Sequence, residues 1–544
     1  MICLDRVRTA CRRTVAALGL VAIVVTAGCT GPRALTVELP DGTASPSAFA
    51  SAPPPQPPPQ LTQTRVDAAV DRLDNVVRDA MRRTGVPGVA VGVVHRDRVV
   101  YLKGFGTRTV GQPGAVDADT VFQLASVSKP LASSVVAGAV GRKTVGWDDP
   151  VVKYSRDFAL RDPWVTSHTT IADLFSHRTG LPDHAGDLLE DLGYDRAYIL
   201  GHLRYEPLAP FRASYAYTNF GVTAAAEAVA AAEGTSWEEL SERELYKPLG
   251  MTSTSSAFAD YERASNKAAT HVKVDGSWQA RYVRDADAQS PAGGASSTVR
   301  DMTKWLRLQL AGGKFDGRQI VDAAALDETH VPHILSQPPS APAGRSGFYG
   351  LGWNVGYDDQ GRLRLSHSGA FGLGAATNVT MLPLEQLGIV VLTNGEPVGV
   401  PEAIAANFFD IAQTGRPAVD WLRFMGRIFQ QQEQAERSPT DYSKPPADPR
   451  PARANSAYTG TYTNDFYGPM TVSTKDDALF MQLGPKKTKF QLRHYDGDTF
   501  SYETTGENAS GLSGVTFTAD SDGKITKVRV EALDENGLGT FTRG

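Results

Sequence analysis

Phe122-Gln123-Leu124-Ala125-Ser126-Val127-Ser128-Lys129-Pro130 is an apolar run interrupted by a serine and, three residues later, by a lysine. A helical pattern follows over residues 130–140, so a helix is expected to start here, with Ser126 suited to its N-cap. Positions three apart share a helix face, which sets the Lys129 amine beside the Ser126 hydroxyl. Partial burial would lower the pKa of that amine and let it accept the hydroxyl proton, while the helix N-terminus favours developing negative charge. Such a pair makes a serine nucleophile without a metal or a cofactor, and none is expected.

Outward from this stretch, residues 89–95 and 99–105 flank Arg96-Asp97 and predict a β-hairpin. A second strand pair, residues 376–382 and 387–393, comes far downstream, and helical patterns at residues 222–232 and 302–310 lie in the interval. Val66, Val70, Leu73, Val77 and Met81 recur at helical spacing before the first hairpin, and Trp421, Met425, Ile428 and Phe429 do so after the second. Early and late strands enclosing a helical insert predict an α/β domain over residues 62–437, an antiparallel sheet flanked by helices plus a helical subdomain. Pro439, Pro445, Pro446, Pro449 and Pro451 mark a linker, residues 438–453. Residues 454–544 alternate short β-runs with turns such as Asp496-Gly497 and Asp522-Gly523, which predicts a small all-β, barrel-like domain.

The N-terminus has another character. Residues 1–28 carry Arg6, Arg8, Arg12 and Arg13 ahead of an apolar run too short to span a bilayer, the pattern of an export signal. Residues 29–61 are rich in Pro, Ser and Ala and read as an extended tether. Thr26-Ala27-Gly28-Cys29 resembles a bacterial lipoprotein processing site, which implies lipidation of Cys29 and a membrane attachment through a lipid anchor. An ordinary signal cut after Ala27 is the alternative, and either places the protein outside the cytoplasm. The only other cysteines are Cys3 and Cys11, so the folded region has no thiol for a disulfide, a zinc site or a cysteine nucleophile. A formal net charge of −5 with no block of like charge argues against a nucleic-acid partner.

Ser-x-x-Lys alone is a weak signal, because Ser521-Asp522-Gly523-Lys524 repeats it inside a turn. Tyr217-Thr218-Asn219 is likewise matched by Tyr462-Thr463-Asn464, and His367-Ser368-Gly369 by His184-Ala185-Gly186. Order and context separate the sets. Ser126, Tyr217 and His367 stand among Trp147-Asp148-Asp149-Pro150, Leu174-Phe175-Ser176-His177-Arg178-Thr179-Gly180-Leu181-Pro182, Lys247-Pro248-Leu249-Gly250-Met251, Pro291-Ala292-Gly293-Gly294 and Tyr349-Gly350-Leu351-Gly352-Trp353. Together these phrases resemble the penicillin-recognising serine hydrolases and class C β-lactamases over roughly residues 62–436.

That resemblance implies a β-lactamase and transpeptidase-like fold and acyl transfer to water through Ser126. It implies that Tyr217 shares the proton with Lys129, that Asn219 holds substrate amides, and that His367 and Gly369 lie on the strand opposite the nucleophile. The backbone N–H groups of Ser126 and Ala370 would form an oxyanion hole. His367 replaces the lysine of the β-lactamases, so charge recognition of a substrate carboxylate would depend on its protonation. His177 is expected to serve a turn. Peptides ending in D-amino acids are the first expected substrates, small esters the second and β-lactams the third. A catalytically inactive binding or sensor lipoprotein, or a ligand-binding tail with the hydrolase as scaffold, are the rival readings. Tyr458-Thr459-Gly460-Thr461-Tyr462 resembles the opening of a small β domain that often follows such hydrolases.

Overall fold

Val66, Ala69, Leu73, Val77 and Ala80 line one face of helix α1 (Gln63–Thr84), and all are buried. Thr62 caps this helix by accepting from Arg65 N, and Gly85 ends it at φ 72°, a left-handed conformation that costs glycine little. These elements belong to a computed structural model that describes residues 61–342 and 344–544. The signal region, Cys29 and the tether up to residue 60 lie outside the described residues.

α1 packs behind one antiparallel sheet. Its strands are β1 (Gly88–His95), β2 (Arg98–Gly106), β3 (Ile334–Gln337), β4 (Gly347–Tyr349), β5 (Asn354–Tyr357), β6 (Leu363–Phe371), β7 (Ala375–Leu382) and β8 (Leu387–Thr393). They run in the order β2-β1-β8-β7-β6-β5-β4-β3. The first hairpin thus pairs directly with the last, Val91 opposite Val391, so the sheet closes only after the helical insert has been passed. Every residue of β1, β7 and β8 is buried, as for strands covered on both faces.

The insert supplies α2 (Ser128–Gly141), α3 (Asp187–Asp191) and α4 (Asn219–Ala232), whose small and apolar residues form one large core with the front of the sheet. α5 (Val299–Leu310) crosses that front face so closely that a Cβ on Gly92 would stand 2.5 Å from Thr303 Cγ2 and 3.0 Å from Val299 Cγ2. α6 (Val400–Thr414) joins α1 on the back, with Ile404 and Phe408 packed against Val89, Val91 and Ile389. α7 (Trp421–Glu436) forms where its periodicity predicts, yet it buries only Leu422, and Phe424 and Ile428 stay exposed. No helix among the described residues is long and apolar enough to cross a membrane.

The tail is a closed eight-stranded barrel, β9 (Gly460–Thr463), β10 (Met470–Lys475), β11 (Ala478–Leu483), β12 (Thr488–Asp496), β13 (Thr499–Glu503), β14 (Leu512–Ala519), β15 (Ile525–Val530) and β16 (Thr540–Arg543). β9 pairs with β16, Tyr462 opposite Arg543, so no strand edge is left open. Tyr462, Met470, Met481, Phe500, Phe517 and Phe541 are buried in the barrel domain. The two sequence look-alikes are used structurally here. Tyr462 donates to Tyr458 O at 2.7 Å, and Ser521 to Lys524 form the turn between β14 and β15. The barrel docks beside α3: Tyr194 OH donates to Tyr467 O at 2.7 Å, and Asn508 N to Asp191 Oδ2 at 2.9 Å.

Gly92→Ala is expected to lower the unfolding free energy by about 1–3 kcal/mol through overpacking under α5. Gly356→Ala, with no heavy atom within 4 Å of the new Cβ, is expected to leave it unchanged or raise it by up to about 1 kcal/mol. Paired thermal melts check both.

Candidate active site

The approach to Ser126 is a kink. Ala125, buried and not glycine, sits at φ 48°, a left-handed conformation that the surrounding structure must hold in place. Ser126 then lies in a single 3₁₀ turn, Ala125–Val127, ahead of α2. This corrects the N-cap expectation: Val127 occupies the cap position of α2, and no side chain caps that end. The turn is gripped from two sides, with Leu124 N donating to Ala295 O at 2.9 Å and Ala295 N donating to Ser128 Oγ at 3.0 Å.

β6 lies against the same turn. A Cβ on Gly369 would fall on the Leu124 carbonyl oxygen and stand 3.0 Å from Ser126 N, so no larger residue fits at 369. Thr377 on β7 adds a bond to that carbonyl at 2.7 Å. The close approach brings the Ser126 N–H beside the Gly369-Ala370 segment.

Lys129 is fully buried. Its Nζ donates to Ser126 Oγ at 3.0 Å, Asn219 Oδ1 at 2.7 Å and Ala292 O at 2.9 Å, so each ammonium proton has an acceptor. Burial brings its pKa down to about 7, the Asp187 carboxylate opposing. The Nζ also lies 4.5 Å from the centre of the Tyr217 ring. Burial pushes the Tyr217 phenol well above its ordinary range, with the Ser126 hydroxyl opposing.

Asn219 opens α4 with both ends of its amide engaged. Oδ1 accepts from Lys129, and Nδ2 donates to Asp187 Oδ2 at 2.8 Å, so a single N–H remains for any substrate. His177, at φ 58°, serves a turn and also accepts from Thr218 N at 3.1 Å through Nδ1. Its ring packs 4.6 Å from that of Tyr217 and 4.8 Å from that of Tyr349, which makes it a buttress for the phenol.

His367 departs from the charge-reading role. Its Nδ1 faces Ser368 O at 2.7 Å and its Nε2 faces Tyr349 OH at 2.8 Å. The carbonyl requires a proton on Nδ1; in the neutral ring that burial favours, Nε2 then accepts from the phenol. Burial, with Lys129 nearby, lowers its pKa to about 3. A histidine so held supplies no positive charge near pH 7.

Two residues escaped the sequence reading. Asp187 joins Asn219 to His184, whose Nδ1 lies 2.9 Å from Asp187 Oδ2, and the His184 ring sits 5.8 Å from that of Tyr217. Burial works against the His184 charge, yet the bond to Asp187 and the charges of Asp187 and Asp183 raise its pKa to about 9. His184-Ala185-Gly186 looks in sequence like a stray copy of the third motif; its i,i+3 spacing to an acidic residue was the signal of a pair. No group of three His, Cys, Asp or Glu side chains disposed to hold a metal occurs among the described residues.

Comparison with known proteins adds to this geometry. The model of a family described as Beta-lactamase matches residues 73–410, and that of a domain of unknown function matches residues 444–539. The unguisins hydrolase ungD of Aspergillus violaceofuscus is 26% identical over 79% of this chain and 82% of its own. The D-alanyl-D-alanine-carboxypeptidase/endopeptidase AmpH of Escherichia coli K12 is 22% identical over 62% of this chain and 86% of its own. The octameric penicillin-binding protein homologue from Pyrococcus abyssi superposes with a TM-score of 0.55 at 19% identity, over 85% of this chain and 98% of that one, and shares the fold.

Side-chain NMR of the histidines tests the electrostatics directly. The His367 ring is expected to stay neutral between pH 5 and 8, with no titration step, while His184 holds its proton until the pH approaches about 9. A His367 that titrates near pH 6.5 would contradict the assignment.

Proposed function

Because the chain belongs to the beta-lactamase family, we propose that it is a serine hydrolase that moves an acyl group from an amide or ester onto Ser126 and then onto water. The observation that carries this reading is the Lys129 amine, buried, 3.0 Å from the Ser126 hydroxyl and with its pKa brought near 7. An amine in that state is neutral in about half the molecules at neutral pH and accepts a proton well.

Each step follows from the groups in place. Ser126 Oγ attacks the carbonyl carbon, its proton passes to Lys129, and the new oxyanion is received by the N–H groups of Ser126 and Ala370. The Tyr217 phenol, kept protonated by its burial, gives its proton to the leaving nitrogen or oxygen and regains one from Lys129. Water then attacks the acyl-enzyme by the reverse path and restores Ser126. His177 and Tyr349 hold the phenol and the third-motif strand, and both stay outside the proton path.

D-amino-acid peptides remain the first substrate class, supported by a relative named as a D-alanyl-D-alanine carboxypeptidase/endopeptidase. The neutral His367 offers no fixed cation to a carboxylate, which within the peptide class favours internal amides over C-terminal ones and keeps acidic β-lactams third, behind small esters. The site works outside the cytoplasm, held to the membrane through lipidated Cys29, the reading that residues 1–29 support.

Ser126→Ala is expected to abolish hydrolysis with the fold intact, and Lys129→Ala and Tyr217→Phe each to slow acylation about a hundredfold or more. Since the base must be neutral, kcat/KM is expected to rise with pH through about 7, with the same acid limb for a neutral ester and an anionic peptide. Retained turnover in Ser126→Ala excludes the mechanism. Cys29→Ala is expected to move the protein from the membrane fraction to the soluble one, and a wild type found soluble after export excludes the anchor.

A further inference from the structure

We infer that Asp187 and His184 are positioning residues for the nucleophile: through Asn219 they hold the Lys129 amine against Ser126 and tune its affinity for a proton. The inference rests on the reading of Lys129 as the base for Ser126.

The geometry is a continuous chain. Ser126 Oγ, Lys129 Nζ, Asn219 Oδ1 and Nδ2, Asp187 Oδ2 and His184 Nδ1 follow one another at 3.0, 2.7, 2.8 and 2.9 Å. An amide can present either oxygen or N–H to Lys129, and only the oxygen suits an ammonium donor. Asp187 decides this, because a carboxylate oxygen accepts and therefore selects the Nδ2 end of Asn219. Asp187 Oδ1 is buried with no hydrogen-bond partner. A buried carboxylate kept half-satisfied is unusual for a group that merely joins two helices, and its charge, shared with His184, also acts on the buried Lys129.

His184 works on the other side. Its side chain is 53% exposed and meets solvent while Asp187 is buried behind it, so it is the member of the chain that exchanges protons with water. Asp183 and Glu436 also face it, and both favour its charged form. Glu190 and Glu206 face Asp187 across the interior, and both are raised by their own burial. The other groups facing Lys129, namely His177, His367 and Tyr217, are held neutral by burial, so the charges that act on Lys129 beyond its own burial are those of Asp187 and His184.

The two residues therefore pull in opposite directions. Asp187 raises the proton affinity of Lys129. His184, when charged, offsets Asp187 and repels the ammonium, and so lowers it. Asp187→Asn keeps the shape and an oxygen for Asn219 Nδ2 while removing the charge, and His184→Gln removes the cation from an exposed position where folding is little affected.

The test reads the rate of Ser126 labelling by a fluorophosphonate from pH 5 to 9, by intact-protein mass spectrometry. In Asp187→Asn the acid limb is expected to move to lower pH, so that labelling at pH 6 rises about threefold relative to the variant's own plateau. In His184→Gln it is expected to move to higher pH, with labelling at pH 6 falling about threefold on the same scale. Thermal melts of both variants identify loss of fold, which lowers the plateau without moving the limb. Limbs that coincide with wild type, or that move together, overturn the inference. Labelling that persists in Ser126→Ala overturns instead the acyl-enzyme reading on which it rests.

Discussion

The charge on Lys129 is the constraint around which this molecule is arranged. An ammonium taken wholly out of water is destabilising unless its protons are accepted, and its acceptors here come from the nucleophile turn, from the start of α4 and from the π-helical turn Ser290–Gly294. The last of these is 163 residues from the lysine in sequence. The helical insert thus does more than fill the space between two strand pairs. It delivers a carbonyl and an amide to one nitrogen, and a segment displaced by an ångström would leave that nitrogen either unpaired or charged without compensation.

Much of the scaffold was legible because its signals are local. The Arg96-Asp97 turn, the β-runs of β7 and β8 and the stripe of α1 each depend on neighbours a few residues away. The Ser126-Lys129 relation was legible for the same reason, since helical geometry alone sets three-residue neighbours side by side. What stayed hidden was set by contacts across long stretches of chain. The expected N-cap failed because strand β6 and Ala295 impose a kink at Ala125 that no preference of alanine announces. That His367 stays neutral well below pH 7 was not legible either, because its burial against Tyr349 and beside Lys129 belongs to the folded sheet, not to the His-Ser-Gly phrase.

The look-alike motifs carry the same lesson from the other side. Ser521 and Lys524 have the right letters on a solvent turn, and Tyr462 has them inside a barrel where its hydroxyl closes onto Tyr458. His184 has the letters of a third motif and belongs to the site on different grounds, its bond to Asp187. Residue type names the available chemistry; the dielectric and the partners, which depend on the whole fold, decide whether it is exercised.

Glu507 stands on the loop between β13 and β14 of the barrel, and its carboxylate accepts from Gly372 N at 2.6 Å and Leu373 N at 3.3 Å, the hairpin that follows the His367-Ser368-Gly369 strand. The two partners are 135 residues apart in sequence. In synthesis from the N-terminus the hairpin is made well before the carboxylate that receives its amides. A chain made only as far as the hairpin lacks the acceptor that these two rim amides meet in the full fold. Part of the rim of the hydrolase site is thus supplied by a domain that is synthesised after it.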